Sequence, residues 1–141
     1  MNDKQQAALG DITRMVMAML DSWKLETAEM QAILCLPTDV RARAFKKFRE
    51  GQAVFPDDPK VLRRARYLLR ISDALRTTYP RNPEMAGRWI RQRHRRFGRR
   101  TPLSIILNDG ESGLIAVLSE LDCTFSWDLT GSQPHRPPMA G

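Results

Sequence analysis

The 141-residue chain is predicted to be an all-α protein, and three features of its sequence support that fold class. Apolar residues recur every three or four positions over long stretches, which is the spacing of one face of an α-helix. An N-capping residue is followed directly by proline, a pair that starts helices, at residues 58–59, 82–83 and 101–102. No useful stretch alternates polar and apolar residues as a strand would.

Three helices are predicted in the N-terminal third of the chain. The first spans about 4–23, with an apolar stripe formed by Ile12, Val16, Met19, Leu20 and Trp23. The second spans 27–34, because Pro37 disfavours helical geometry at the residue before it. Thr38 is expected to cap the third, which spans 38–50.

The remaining helices follow the three cap-and-proline pairs. A fourth helix spans 59–77, a fifth begins at 82–83, and a short apolar helix begins at 101–102. A turn at 108–110, with the sequence Asn-Asp-Gly, then leads into the last helix. Its apolar pattern ends near Cys123, so we expect the chain to leave helical geometry there.

The net charge of +7 conceals a strongly uneven distribution. Residues 38–100 hold 19 lysines and arginines against six acidic residues, a segmental charge of +13. The flanking segments, 1–37 and 101–141, carry −2 and −4. A basic segment of this strength suggests a polyanionic partner, and nucleic acid is the first candidate.

Helices two and three have the proportions of a helix-turn-helix, in which the second helix enters the major groove of DNA. They are separated by three residues that end in Pro37. Residues at the start of such a helix usually meet base edges, and later basic residues meet phosphates. We expect base or sugar contacts from Thr38, Asp39, Arg41 and Ala42, and phosphate contacts from Arg43, Lys46 and Lys47. The alternative is a solvated helix whose basic residues serve solubility.

Residues 60–123 carry a pattern that resembles a known family. An arginine-rich helix leads to a tryptophan, then to a glycine followed by Thr-Pro-Leu, and a glycine-containing helix closes the stretch. The matching positions are Trp89, Gly98, Thr101, Pro102, Leu103, Gly113, Val117 and Leu121. In this pattern the chain resembles the Xre/MbcA/ParS-like antitoxins, whose C-terminal domain binds a toxin.

The resemblance implies a non-catalytic type II antitoxin with an N-terminal helix-turn-helix of Xre/Cro-like type and a small helical toxin-binding domain. The implied partner is a RES-domain toxin, whose NAD pocket the antitoxin would cover. Operator DNA and a second copy of the chain are the other expected partners, because helix-turn-helix proteins commonly read paired half-sites. The expected division is a helix-turn-helix region over 1–58, a linking helix over 59–80, a toxin-binding domain over 81–130 and a mobile tail over 131–141.

The chain departs from the family pattern between Trp89 and Gly98, where the family often has a neutral turn. Seven arginines and one histidine lie between Arg88 and Arg100. They could contact the DNA backbone, dock on an acidic toxin face, or form a solvated loop. After the last helix, three large apolar residues alternate with polar ones. The resemblance implies that this segment enters the toxin pocket; the alternative is that it folds back onto the bundle. The full expected toxin-binding set is Trp89, Arg93, Arg96, Arg99, Arg100, Asp122, Phe125, Trp127, Asp128 and Leu129.

Other function classes find little support in the sequence. Its two cysteines and two histidines form no catalytic or metal-binding spacing, and no glycine-rich phosphate loop is present, so we expect no enzyme activity, metal or cofactor. Without a signal-peptide pattern or an apolar run of membrane-spanning length, the chain is expected to be cytoplasmic. Two alternatives stay open: a stand-alone regulator whose C-terminal domain dimerises, and a protein-binding module with a degenerate helix-turn-helix.

Overall fold

The computed structural model describes the backbone of residues 2–82 and 84–130, with side chains for 2–82 and 84–122. These residues form six helices and a short 3-10 turn, and none of them lies in a strand, which confirms the all-α class. The helices, in chain order, are α1 Asp3–Ser22, α2 Thr27–Leu34, α3 Ala42–Arg49, α4 Pro59–Thr78, α5 Glu84–Arg91 and α6 Pro102–Thr130. The 3-10 turn is Arg95–Phe97.

Helix α4 lies at the centre of the bundle and packs against α1, α2, α5 and α6. Its apolar stripe is fully buried and consists of Val61, Ala65, Leu68, Ile71 and Leu75. The predicted stripe of α1 is also largely buried, and Trp23 at its C-terminal end is only 1% exposed. Burial of these stripes is the main stabilising contribution, because each fully buried large side chain contributes about 1.5–3 kcal/mol.

The chain between α3 and α4 is held by a buried hydroxyl on α1. The Thr13 side chain donates to the carbonyl oxygen of Leu9 at 2.8 Å and accepts from the backbone N–H of Phe55 at 3.0 Å. Phe55 is buried and its ring lies edge-on to that of Phe48, with centroids 5.0 Å apart. The connection after α3 is therefore attached to the core by both its backbone and its side chain.

Helix α3 begins later than predicted. Thr38 does not cap it, because the backbone N–H of Val40 donates to the carbonyl oxygen of Pro37 at 3.0 Å and closes a turn over 37–40. The N-cap is Arg41, whose side chain makes no capping hydrogen bond. The connection between α2 and α3 consequently spans seven residues, 35–41, where the sequence predicted three.

Helix α6 folds back on itself at Gly110, which confirms the predicted turn. Gly110 has φ 62° and ψ −133°, a backbone conformation that is accessible essentially to glycine alone. The two limbs pack closely at Gly113, where a Cβ atom would lie 2.3 Å from the carbonyl oxygen of Ile105. Glycine at this position therefore permits the close approach of the two limbs, and we call residues 102–130 the α6 hairpin.

Two further expectations are corrected or lie outside the described part. The last helix does not stop near Cys123: its backbone continues to Thr130, because no proline or glycine interrupts it before Gly131. The predicted mobile tail, 131–141, falls outside the described residues. No helix in the part of the chain that the structure describes is long and apolar enough to cross a membrane.

Candidate functional site

The predicted DNA-contacting residues surround the start of α3. A groove of about 400 Å³ is lined by Asp39, Arg41, Arg43, Ala44 and Lys47. It therefore brings four of the seven predicted residues together. The helix carries no acidic residue, so the groove is basic apart from Asp39.

The seven predicted residues divide between the turn and the helix. Thr38 and Asp39 lie in the turn before α3, Arg41 caps it, and Ala42 is its first residue. Arg43, Lys46 and Lys47 lie on the helix itself, and all seven side chains are exposed. The shift of the helix start thus moves Thr38, Asp39 and Arg41 off the helix, while Arg43, Lys46 and Lys47 stay on it.

Helix α3 is fixed from behind by aromatic packing and one ion pair. Phe45 and Phe48 are buried against α1 and the connection that follows α3. The Arg49 guanidinium donates two hydrogen bonds to the Asp21 carboxylate, at 2.8 and 3.0 Å. These hydrogen bonds raise the pKa of Arg49 above its ordinary value. The arrangement fixes α3 on α1 and leaves the basic side of α3 exposed to solvent.

Residues 94–100, which follow α5, form a closed loop that we call the arginine-rich loop. The backbone N–H of His94 donates to the carbonyl oxygen of Arg100 at 3.2 Å, and the N–H of Arg99 donates back to His94 at 3.0 Å. The loop turns through Gly98 and Arg99, which have φ values of 63° and 66°. The seven-residue segment 94–100 is therefore an ordered element with its own hydrogen bonds.

The half-buried Trp89 anchors this loop to α5. Its ring lies 4.9 Å from the His94 ring and 6.1 Å from the Phe97 ring, measured between centroids. The Nε2 atom of His94 is 3.0 Å from the carbonyl oxygen of Trp89. His94 and Phe97 thus fix the loop on Trp89, and with it the backbone of Arg95 and Arg96 between them.

Of the seven arginines between residues 88 and 100, three have side-chain partners within the protein. Arg91 donates to the carbonyl oxygens of Trp23 and Lys24 at 2.7 and 3.0 Å, which attaches α5 to the end of α1. Arg96 pairs with Glu120. Arg100 pairs with Asp109 at 3.2 Å. Arg91 therefore attaches α5 to α1, and Arg96 and Arg100 attach the loop to the α6 hairpin.

The side chains of the other four arginines have no hydrogen bond or ion pair within the described residues. They are Arg88, Arg93, Arg95 and Arg99, and all are exposed. Unpaired cations so close together repel one another, which leaves this surface suited to an anionic partner. The predicted toxin-binding set therefore mixes two paired arginines, 96 and 100, with two unpaired ones, 93 and 99.

Ion pairs also join α4 to the α6 hairpin. Arg63 contacts Glu111 at 3.0 Å, and Arg70 contacts Asp122 at 3.7 Å. Asp122, expected to meet a toxin arginine, thus already has a basic neighbour in its own chain, although its side chain is 52% exposed.

The rest of the predicted C-terminal contact set lies beyond the described side chains. The backbone of Phe125, Trp127, Asp128 and Leu129 belongs to α6, whereas the sequence placed these residues after the last helix. Whether they meet a toxin stays a prediction.

Sequence reasoning missed several residues that shape this region. Glu120 and Asp109 hold the loop, but nothing in the local sequence links them to arginines up to 24 residues away. Gly87 lies against the end of α1, where a Cβ atom would meet the carbonyl oxygen of Ser22 at 3.4 Å.

Comparison with known proteins identifies the C-terminal half of the chain. The family model described as the antitoxin Xre/MbcA/ParS C-terminal toxin-binding domain matches residues 51–124, just over half of the chain. The match contains α4, α5, the arginine-rich loop and the described side chains of the α6 hairpin. Neither the curated proteins nor the solved structures contain a significant match. The chain therefore belongs to the Xre/MbcA/ParS family of antitoxins and carries their C-terminal toxin-binding domain.

Proposed function

We propose that this antitoxin neutralises a RES-domain toxin by covering its NAD pocket, and represses its own operon through the α2–α3 helix pair. The observation that supports toxin binding is the family match over residues 51–124. It supports a type II antitoxin as the general class. The RES partner, the NAD pocket and the operator are the specific content of the proposal, as are a homodimer and a cytoplasmic site of action.

The proposed toxin surface combines the arginine-rich loop with the end of α6. Arg93 and Arg99 are exposed and unpaired within the described residues, while Arg96 and Arg100 are held on the α6 hairpin. Arginine suits a protein interface because its planar group binds carboxylates in a bidentate manner. The Trp89 ring supports the loop by packing against His94 and Phe97. An acidic face of the toxin would neutralise the positive charge of this surface.

The second part of the proposed toxin surface is the segment from Asp122 to Thr130. Its helical backbone continues for eight residues beyond the last described side chain, which corresponds to about 12 Å of helix. We propose that Phe125, Trp127 and Leu129 contact the toxin there, and that Asp122 and Asp128 meet the arginines of a pocket built for NAD phosphates.

Truncation of the chain tests the covering of the pocket. Deletion of residues 122–141 should release toxin activity in cells that co-express the neighbouring toxin gene, while the truncated chain keeps its helical circular dichroism spectrum. Deletion of 131–141 is the matched control, because it keeps α6, and it should still neutralise the toxin. A chain lacking 122–141 that still protects the cells would refute the proposed role of this segment.

The proposed operator contact depends on the basic side of α3. The double variant Arg41→Ala with Lys46→Ala should weaken binding to the DNA upstream of the operon and leave toxin neutralisation intact. The two functions separate because both residues lie outside the matched domain. Loss of neutralisation together with normal DNA binding would show that α3 serves the toxin instead.

A second candidate function is a toxin-binding module whose helix pair does not bind DNA. One observation favours it: the α2–α3 connection spans seven residues, and α2 packs on α4 and α6 while α3 packs on α1. A compact helix-turn-helix has a connection of about three or four residues. Band-shift assays with the wild-type chain and its upstream DNA decide between the two, since this module would give no shifted complex.

A further inference from the structure

A basic groove lies between the end of α1 and helix α5. It has a volume of about 360 Å³ and is lined by Ser22, Trp23, Lys24, Glu84, Gly87, Arg88 and Arg91. At Gly87 the α5 backbone lies against the end of α1, where a Cβ atom would meet the carbonyl oxygen of Ser22 at 3.4 Å. The groove is therefore a consequence of how the two helices are packed.

Three basic side chains line the groove, and two of them have no partner within the described residues. Arg91 is occupied, since it donates to the carbonyl oxygens of Trp23 and Lys24 and so offsets the partial negative charge at the end of α1. The side chains of Lys24 and Arg88 have no hydrogen bond or ion pair within the described residues, and both are exposed. Glu84 is the single acidic residue among those that line the groove. Two cations thus remain available to an anionic ligand.

The groove adjoins the helix proposed to bind DNA. Arg49, in the last turn of α3, hydrogen bonds to Asp21 in the last turn of α1. The groove begins one residue later, at Ser22. The C-terminal end of α3 and the groove therefore border the same turn of α1.

We propose that this groove is a second phosphate-contact site, where Lys24 and Arg88 bind phosphodiester groups of DNA engaged by α3. The inference rests on the proposed operator binding and deepens it. DNA is favoured because the groove begins beside Asp21, the residue to which Arg49 of α3 is hydrogen bonded. Helix α5 itself lies in the matched toxin-binding domain, so a contact with the toxin is the competing outcome of the test. Contacts of this kind fix the position of a protein on the duplex and carry no sequence information.

Salt dependence of DNA binding tests the groove directly. The double variant Lys24→Gln with Arg88→Gln should reduce the slope of log affinity against log salt by about 1.8, since each lost phosphate contact accounts for roughly 0.9. The ratio of wild-type to variant affinity should consequently increase about tenfold between roughly 200 and 50 mM salt. Fluorescence anisotropy with a labelled upstream duplex measures both quantities. The preference for operator over random DNA should not change.

A charge-matched control separates a local contact from general attraction. Lys4→Gln with Lys60→Gln removes the same charge from exposed positions outside the groove and should leave the slope near the wild-type value. Shortening the duplex at both ends, until only the segment bound by α3 remains, should make the groove variant and the wild type bind equally.

Several results would overturn the inference. An unchanged slope for the groove variant, together with lost binding in the α3 variant, refutes the groove and leaves operator binding intact. Normal DNA binding with weakened toxin binding would make the groove a toxin contact. A wild-type chain that binds neither its upstream DNA nor random duplex refutes operator binding and the groove together.

Discussion

The close packing inside the α6 hairpin predicts that Gly113→Ala destabilises the protein. Alanine is normally the better helix residue, and replacing an interior helical glycine by alanine contributes up to about 1 kcal/mol of stability. At Gly113, however, the added Cβ atom would lie 2.3 Å from the carbonyl oxygen of Ile105 and 2.9 Å from its carbonyl carbon. Real Cβ atoms essentially never approach another atom so closely, so one limb of the hairpin must move.

The magnitude follows from the two opposing effects. An extra carbon in a closely packed site costs about 1–3 kcal/mol, and the upper part of that range applies because the obstructing atoms belong to backbone that cannot rotate away. Subtracting the gain in helix propensity leaves a net loss of about 2 kcal/mol. For a chain of this size, the melting temperature should fall by about 4–8 °C.

Gly10→Ala is the matched control for this experiment. Gly10 also lies inside a helix, but a Cβ atom there would meet only side-chain atoms at 3.7 and 3.9 Å, which are ordinary contact distances. Its substitution should therefore stabilise the protein by roughly 0.5–1 kcal/mol. Urea unfolding monitored by circular dichroism measures both variants. A Gly113→Ala protein as stable as the wild type would refute the inferred close approach of the two limbs.

Two other substitutions probe contacts that fix α1 to its neighbours. Thr13→Val should cost about 1–3 kcal/mol in urea unfolding, because the buried N–H of Phe55 loses its acceptor; Thr13→Ser keeps the hydroxyl and should lose less. An equal loss for both would mean that the methyl group matters and the hydrogen bond does not. Asp21→Asn should cost less than about 1 kcal/mol, because both side chains of the pair with Arg49 are 39% exposed and solvent screens their attraction. That difference should shrink in high salt, and persistence at about 1 M salt would contradict a simple surface ion pair.

Helix positions were predictable where a local signal and the apolar pattern agreed. Asp58 caps α4 by accepting from the N–H of Lys60 at 2.8 Å, and Thr101 caps α6 by accepting from the N–H of Ser104 at 3.0 Å. In both cases the capping residue precedes a proline and the buried stripe begins within the next turn. The Gly110 turn was predictable for the same reason, because only glycine readily adopts its backbone conformation.

Prediction was wrong where two local signals competed. Thr38 can cap a helix, but it also follows a proline and precedes an aspartate, which favours a turn. The turn closed by Val40 and Pro37 forms instead, and α3 starts four residues later than predicted. The end of α6 was wrong for another reason. The apolar pattern marks where a helix meets the core, whereas the backbone can stay helical without it until a breaker such as Gly131 occurs.

The partners of the arginine-rich segment could not be predicted, because they lie far away along the chain. Composition alone describes seven equivalent cations between residues 88 and 100. The structure makes them unequal: Arg91, Arg96 and Arg100 hold three elements together, while four others stay unpaired within the described residues. Paired arginines contribute little to attracting a distant polyanion, so the segmental charge of +13 overstates the charge available for binding. Counting only unpaired cations leaves the basic side of α3 and, between residues 88 and 100, Arg88 in the groove beside α1 and Arg93, Arg95 and Arg99 in or next to the loop. The proposed division of this segment between a toxin and DNA therefore depends on four arginines and not on all seven.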